Sequence, residues 1–144
     1  MSYISWIDSH AIKHKFIIDK LLARGFDKEQ IIDYFVFENM VKHENDFCPL
    51  YKENQKCHDM PYLNCYLCAC PHFRFDDNGV ELIDGKTKYS FCDINSKNGA
   101  SGVYGDAIHQ DCSKCNIPHT LSYVNKHFNI DWKTIMQECY KQKV

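Results

Sequence analysis

The sequence predicts an α+β fold in which an N-terminal helical hairpin and C-terminal helices surround a small, loop-rich, metal-stapled β centre. Three observations carry this expectation. Apolar residues recur at helical spacing near both ends, short β-type runs separated by turn residues occupy the middle, and eight of the nine cysteines fall between Cys48 and Cys115. The chain therefore divides into an arm (1–47), a cysteine-rich centre (48–119) and a tail (120–144), read as one compact unit. A chain of 144 residues is the size of one domain.

The arm reads as two helices. Ile4, Ile7, Ala11, Ile18, Leu21 and Leu22 follow the helical period, and Gly25 is a natural stop. Asp27 stands three residues before Gln30 and predicts a capping box. Ile31, Ile32, Phe35, Val36 and Met40 then form the apolar face of a second helix. In the centre, Phe73–Phe75, Val80–Ile83 and Thr87–Cys92 predict a three-stranded meander, with Asp77-Asn78-Gly79 and Asp84-Gly85 as its turns. The stretch 95–105 is rich in glycine, serine and asparagine and predicts a mobile loop. It lacks the Gly-Lys-Ser/Thr ending of a phosphate loop. In the tail, Pro118 is placed to start a helix through Leu121, Val124 and Phe128. Asp131 caps a last helix, whose face holds Trp132, Ile135, Met136, Cys139 and Tyr140. Cys139 on that face reads as a small core residue.

Composition narrows the function. Seventeen basic against nineteen acidic residues give a net charge of −2, which argues against nucleic acid as a partner. The two helices of the arm resemble a DNA-reading motif only in outline, because the arm is not basic. No apolar run is long enough to span a membrane, and the start of the chain carries Asp8, Lys13 and Lys15 where a secretory leader needs an apolar stretch. An odd number of cysteines with no export signal favours metal ligation over disulfides, and a reducing cytoplasm as the location.

The candidate ligands are Cys48, Cys57, His58, Cys65, Cys68, Cys70, Cys112, Cys115 and His119. Cys65-x-x-Cys68-x-Cys70 and Cys112-x-x-Cys115, with His119 four residues on, are the informative spacings. Two thiols three residues apart in a tight turn can aim at one ion, which then needs two further ligands. With Cys92 and Cys139 set aside, seven cysteines and His119 supply two tetrahedral sites. The favoured partition puts Cys65, Cys68, Cys112 and Cys115 on one ion and Cys48, Cys57, Cys70 and His119 on the other. Interleaved arrangements use the same ligands, and His58 can replace its neighbour Cys57. His10, His14, His43 and His127 read as solvated or satisfied imidazoles, as do His72 and His109. Cys92 is the thiol to test first for reactivity.

Cys48-Pro49-Leu50-Tyr51, Lys56-Cys57-His58, Asn64-Cys65-Tyr66-Leu67-Cys68-Ala69-Cys70-Pro71-His72-Phe73 and Asp111-Cys112-Ser113-Lys114-Cys115-Asn116-Ile117-Pro118-His119 resemble, in that order, the pattern of the cysteine-rich small domain family. That family is described as a metal-binding domain of bacteria and archaea, alone or fused to enzymes, some linked to cobalamin synthesis. The resemblance covers about residues 46–120. It implies metal ligation by the nine candidates and names no reaction. The chain departs from the pattern where His72 and Phe73 stand near the place of a further cysteine, and the stretch from Cys92 to His109 looks like an insertion.

Zinc is the expected metal, because thiolates with imidazole suit it and it needs no redox partner. Two structural zinc sites supporting an interaction module are the leading functional reading, with exposed aromatic residues as the surface for a protein partner. An iron–sulfur protein, with a 4Fe–4S cluster and a redox or electron-transfer role, is the first alternative, although Cys68 and Cys70 fit the usual ferredoxin spacing poorly. A zinc-dependent hydrolase using His109 and Asp111, with the 95–105 loop as a lid, is the second.

Overall fold

A long helix, α1 (Tyr3–Ala23), opens the fold of the computed structural model, which describes residues 2–139. Ser2 caps it by accepting from the backbone N–H of Ser5. Both oxygens of Asp77 also accept from its first turn, Oδ1 from the N–H of Tyr3 at 2.7 Å and Oδ2 from that of Ile4 at 3.0 Å. An anionic group at a helix N-terminus is favourable, so the end of α1 is clamped onto the β centre. Gly25, at φ +78°, ends the helix as its sequence predicts.

The buried face of α1 differs from the expected one. Ile4 and Leu22 are exposed, and the inward row is Ile7, His10, His14, Ile17, Ile18 and Leu21. His10 and His14, read as solvated or satisfied, sit instead in an aromatic cage. His10 stacks on Trp6 with ring centroids 4.6 Å apart and meets Phe47 and Trp132. His14 stacks on Phe35 and meets Tyr66 edge-on. Nε2 of His10 and both ring nitrogens of His14 have no hydrogen-bond partner. Burial pushes His10 down to about 4 and His14 to about 3, with Lys13 adding to the first shift and His10 to the second. Both rings therefore behave as neutral core aromatics.

The second helix of the arm is broken in two. The Asp27–Gln30 capping box forms, starting α2 (Lys28–Tyr34), but Val36 adopts an extended conformation and α3 (Phe37–His43) begins after it. The break frees backbone groups for the segment 63–65. Phe37 N–H donates to Leu63 O, Cys65 N–H donates to Phe35 O, and Val36 bridges Asn64. Cys65 is thus fixed by the interruption.

Six short strands form two sheets among the described residues: β1 (Phe73–Phe75), β2 (Glu81–Ile83), β3 (Lys86–Lys88), β4 (Ser90–Cys92), β5 (Ala100–Tyr104) and β6 (Ala107–Asp111). The expected meander is corrected by this topology. The run Thr87–Cys92 splits at Tyr89, so that β4 pairs with β1 in one sheet while β3 joins the order β2-β3-β6-β5 in the other. The Asp84-Gly85 turn holds, with both residues at positive φ, as a two-residue hairpin of the primed type requires. The stretch expected to be a mobile loop contains β5, which pairs with β6 from Ala100↔Asp111 to Tyr104↔Ala107. Its pairing with β6 fixes Ala100–Tyr104 as an edge strand rather than the mobile loop that the lid reading needs.

In the tail, Pro118 belongs to a short 3-10 turn (Ile117–His119) rather than to the helix. Thr120 is the actual cap of α4 (Leu121–His127), and α5 (Trp132–Ile135) follows Asp131. Leu121 is exposed, and Val124 is the buried residue of α4. Tyr140 lies outside the described residues. One apolar cluster draws on arm, centre and tail through Ile18, Phe35, Tyr66, Leu67, Phe75, Trp132 and Cys139. Cys139 sits in that core, as its position on the helix face predicts.

Candidate metal centre

Among the described residues, one group of potential ligands converges closely: the Cys57 thiol and the His58 and His119 imidazoles have ligand atoms all within 4.8 Å of one another. A tetrahedral zinc ion with bonds of 2.0–2.3 Å separates its ligand atoms by roughly 3.3–3.8 Å, so a small closing movement satisfies it.

Both rings are aimed by backbone carbonyls. His58 Nδ1 lies 3.2 Å from Ser113 O, and His119 Nδ1 lies 2.9 Å from Asn64 O. A carbonyl oxygen only accepts, so each neutral ring carries its proton on Nδ1 and presents the lone pair of Nε2. Burial lowers the pKa of both, which keeps them neutral and able to ligate near neutral pH. Asn64 is the hub of this arrangement. It is fully buried, its backbone N–H donates to His119 O, and its side chain receives Tyr66 N–H while donating to Ile32 O. Sequence reasoning passed over Asn64, because a lone asparagine carries no periodic or spacing signal.

The other thiols fall into two neighbourhoods. In the first, burial pushes Cys65 up to about 12 and Cys68 well above the ordinary thiol range, and the nearby charges of Cys48 and Cys57 add to both shifts. In the second, burial raises Cys70 and Cys112 to about 11; Cys92 and Cys115 add to both shifts, and Cys70 adds to that of Cys112. The favoured partition puts Cys57 with His119, and the two do converge; it puts Cys65 and Cys68 with Cys112 and Cys115, whereas their electrostatic neighbours are Cys48 and Cys57. Ala69 and Cys70 are both at positive φ, +87° and +59°, so the chain turns sharply between the Cys65–Cys68 pair and Cys70. All nine cysteines are free.

The residues offered for hydrolysis do not join the ligand group. Asp111 is exposed at the end of β6, and its Oδ1 accepts from Ser113 N–H at 3.0 Å, which holds its pKa down. It shapes the Cys112–Cys115 turn. His109 is bound to the Tyr3 hydroxyl and stacks on Tyr89. His72 lies 4.0 Å from Asp93 and is not part of the ligand group of His58 and His119. A cavity of about 1070 Å³ is lined by Cys57, His58 and His119 together with Cys70, Cys112 and Cys115.

No helix among the described residues is long and apolar enough to cross a membrane. The chain matches no family model, no curated protein and no solved structure.

Proposed function

We propose that the protein is a zinc-binding module of the cysteine-rich small domain type, working in a reducing cytoplasm, in which the metal is structural. The observation that carries the reading is the pair of imidazoles, each held by a backbone carbonyl at Nδ1, that converge with the Cys57 thiol. A mixed sulfur and nitrogen donor set suits zinc. The fourth ligand is drawn from the thiols bordering Cys57, of which Cys48 is the principal electrostatic neighbour. Two zinc ions per chain remain the expected stoichiometry, since the thiols outside this group suffice for a second site. Its use is interaction with a protein partner, and one observation supports that step: Ile12 and Phe16, one turn apart on α1, are 71% and 70% exposed.

Elemental analysis of anaerobically purified protein tests the proposal. Zinc is expected in the wild type, and the double variant His58→Ala, His119→Ala should lose one equivalent while α1 keeps its helical circular dichroism. An unchanged zinc content in that variant would refute the assignment.

A further inference from the structure

We infer that Cys70, Cys92, Cys112 and Cys115 form a second, all-thiolate metal centre, separate from the one built on Cys57, His58 and His119. It includes Cys92, which the spacing of the sequence gave no reason to group with the others.

Three chain segments bring these thiols together. Cys70 precedes β1, and Phe73 N–H donates to Cys70 O at 3.0 Å. Cys92 ends β4, and the antiparallel register sets it directly opposite Phe73. Strand pairing alone therefore places Cys92 beside the Cys70 turn. Cys112 follows β6 directly, and Cys115 N–H donates to Cys112 O at 3.0 Å, closing the tight turn that suits two thiols aimed at one point. Two contacts fasten this turn to the β4 segment. Gln110 N–H donates to Ser90 Oγ at 2.7 Å, and Ser96 Oγ lies 3.3 Å from Cys115 Sγ. All four cysteines line the same cavity. Cys139 also neighbours Cys70, but its thiol points at Cys70 O from within the apolar core, and it does not line the cavity.

The chemistry of the set is uniform. All four donors are buried or half-buried cysteine sulfurs, and a cation binds them as thiolates, so metal binding releases their protons. An all-sulfur donor set selects soft metals, zinc or the iron of an iron–sulfur cluster. These sulfurs do not converge as closely as the Cys57 group, and a cluster bridging the cavity tolerates wider spacing than a single ion. Either occupant is held by the same four thiolates.

The experiment uses the full chain, purified anaerobically, with zinc, iron and acid-labile sulfide measured alongside alkylation of each cysteine followed by mass spectrometry. Cys70, Cys92, Cys112 and Cys115 should be protected together and become reactive together on chelation. They should stay protected in the His58→Ala, His119→Ala variant, so that failure of the first centre and failure of this one are distinguishable. Cys92→Ser should lower bound metal by one equivalent of zinc, or remove iron, sulfide and visible absorbance together; Cys139→Ser should do neither. Zinc loss identifies a single ion, and iron with sulfide identifies a cluster. Rapid alkylation of Cys92 in metal-loaded wild type while the other three remain protected would overturn the inference, and so would full metal retention by Cys92→Ser. The alkylation result stands even if the Cys92→Ser chain does not fold.

Discussion

Acidification should destabilise this protein through two histidines that have no part in metal binding. His10 and His14 are 5% and 0% exposed, enclosed by Trp6, Phe35, Phe47, Tyr66 and Trp132, and burial lowers them to about 4 and about 3. In the unfolded chain each titrates near the ordinary value of about 6.5. A folded-state pKa below the unfolded one means that the unfolded chain binds more protons in between. Stability is therefore fully present above about pH 6.5 and is lost as the pH falls. At pH 5 the folded rings remain neutral while the unfolded ones are protonated. The loss is about 2 kcal/mol for each ring, or about 4 kcal/mol for the pair, from roughly 1.4 kcal/mol per pH unit over 1.5 units. Urea unfolding of wild type and His14→Leu at pH 7.5 and 5, both zinc-saturated, isolates one ring. Metal release at low pH is common to both proteins and cancels in the difference. The variant should lose about 2 kcal/mol less than wild type over this interval. A variant whose stability falls as steeply as that of the wild type, or a His14 imidazole titrating near pH 6.5 by NMR, would show the reasoning to be wrong.

Two further outcomes are expected. Asn64→Ala should cost about 2–4 kcal/mol in urea unfolding, because it strands the buried Tyr66 N–H and Ile32 O, and it should weaken zinc binding by loosening the backbone that aims His119; unchanged zinc affinity would separate Asn64 from the site. Chelation should raise amide exchange across 78–116 while the middle of α1 and the Leu63–Leu67 segment, which are held by the apolar core, stay protected; uniform loss of protection would mean that core and centre are one cooperative unit.

How much of this was legible in the sequence depends on the range over which each signal acts. The Asp27–Gln30 capping box, the Gly25 stop and the Asp84-Gly85 turn are local chemistry, and each forms as written. The elements that differ are those decided by distant partners. Val36 continues an apolar helical face in sequence, yet it is extended because segment 63–65 takes the hydrogen bonds of the break. Ala100–Tyr104 looks like a loop by composition, and becomes a strand because Ala107–Asp111 pairs with it. His10 and His14 occupy the helical period of an inward face, and their burial is set by the aromatic rings that distant segments bring to them. The candidate ligands, Cys92 excepted, stand out by their spacing in the sequence, whereas their grouping does not. It depends on the sharp turn at Ala69 and Cys70 and on the β1–β4 register that brings Cys92 to Cys70.

The distribution of apolar burial explains why this fold would need metal where the ligands are. The helices and β1 contribute the core, from Ile7 to Phe75 and on to Cys139. The four-stranded sheet contributes almost nothing to it: β2 is exposed throughout, β5 nearly so, and Ile108 is its one buried apolar residue. Short strands with so little buried apolar surface are marginal by themselves. The sheet meets the rest of the molecule through polar links such as Gln110 N–H to Ser90 Oγ, and through the chain that leaves β6 at Cys112. A structural zinc site supplies apparent folding energy on the order of 10–16 kcal/mol, which exceeds what a few such hydrogen bonds return at about 1 kcal/mol each. Cys92 and Cys112 border two of the links between this sheet and the rest of the chain, the first leading towards β5 and the second leaving β6. Metal bound there would fasten the polar half of the molecule to the apolar half at its weakest seam.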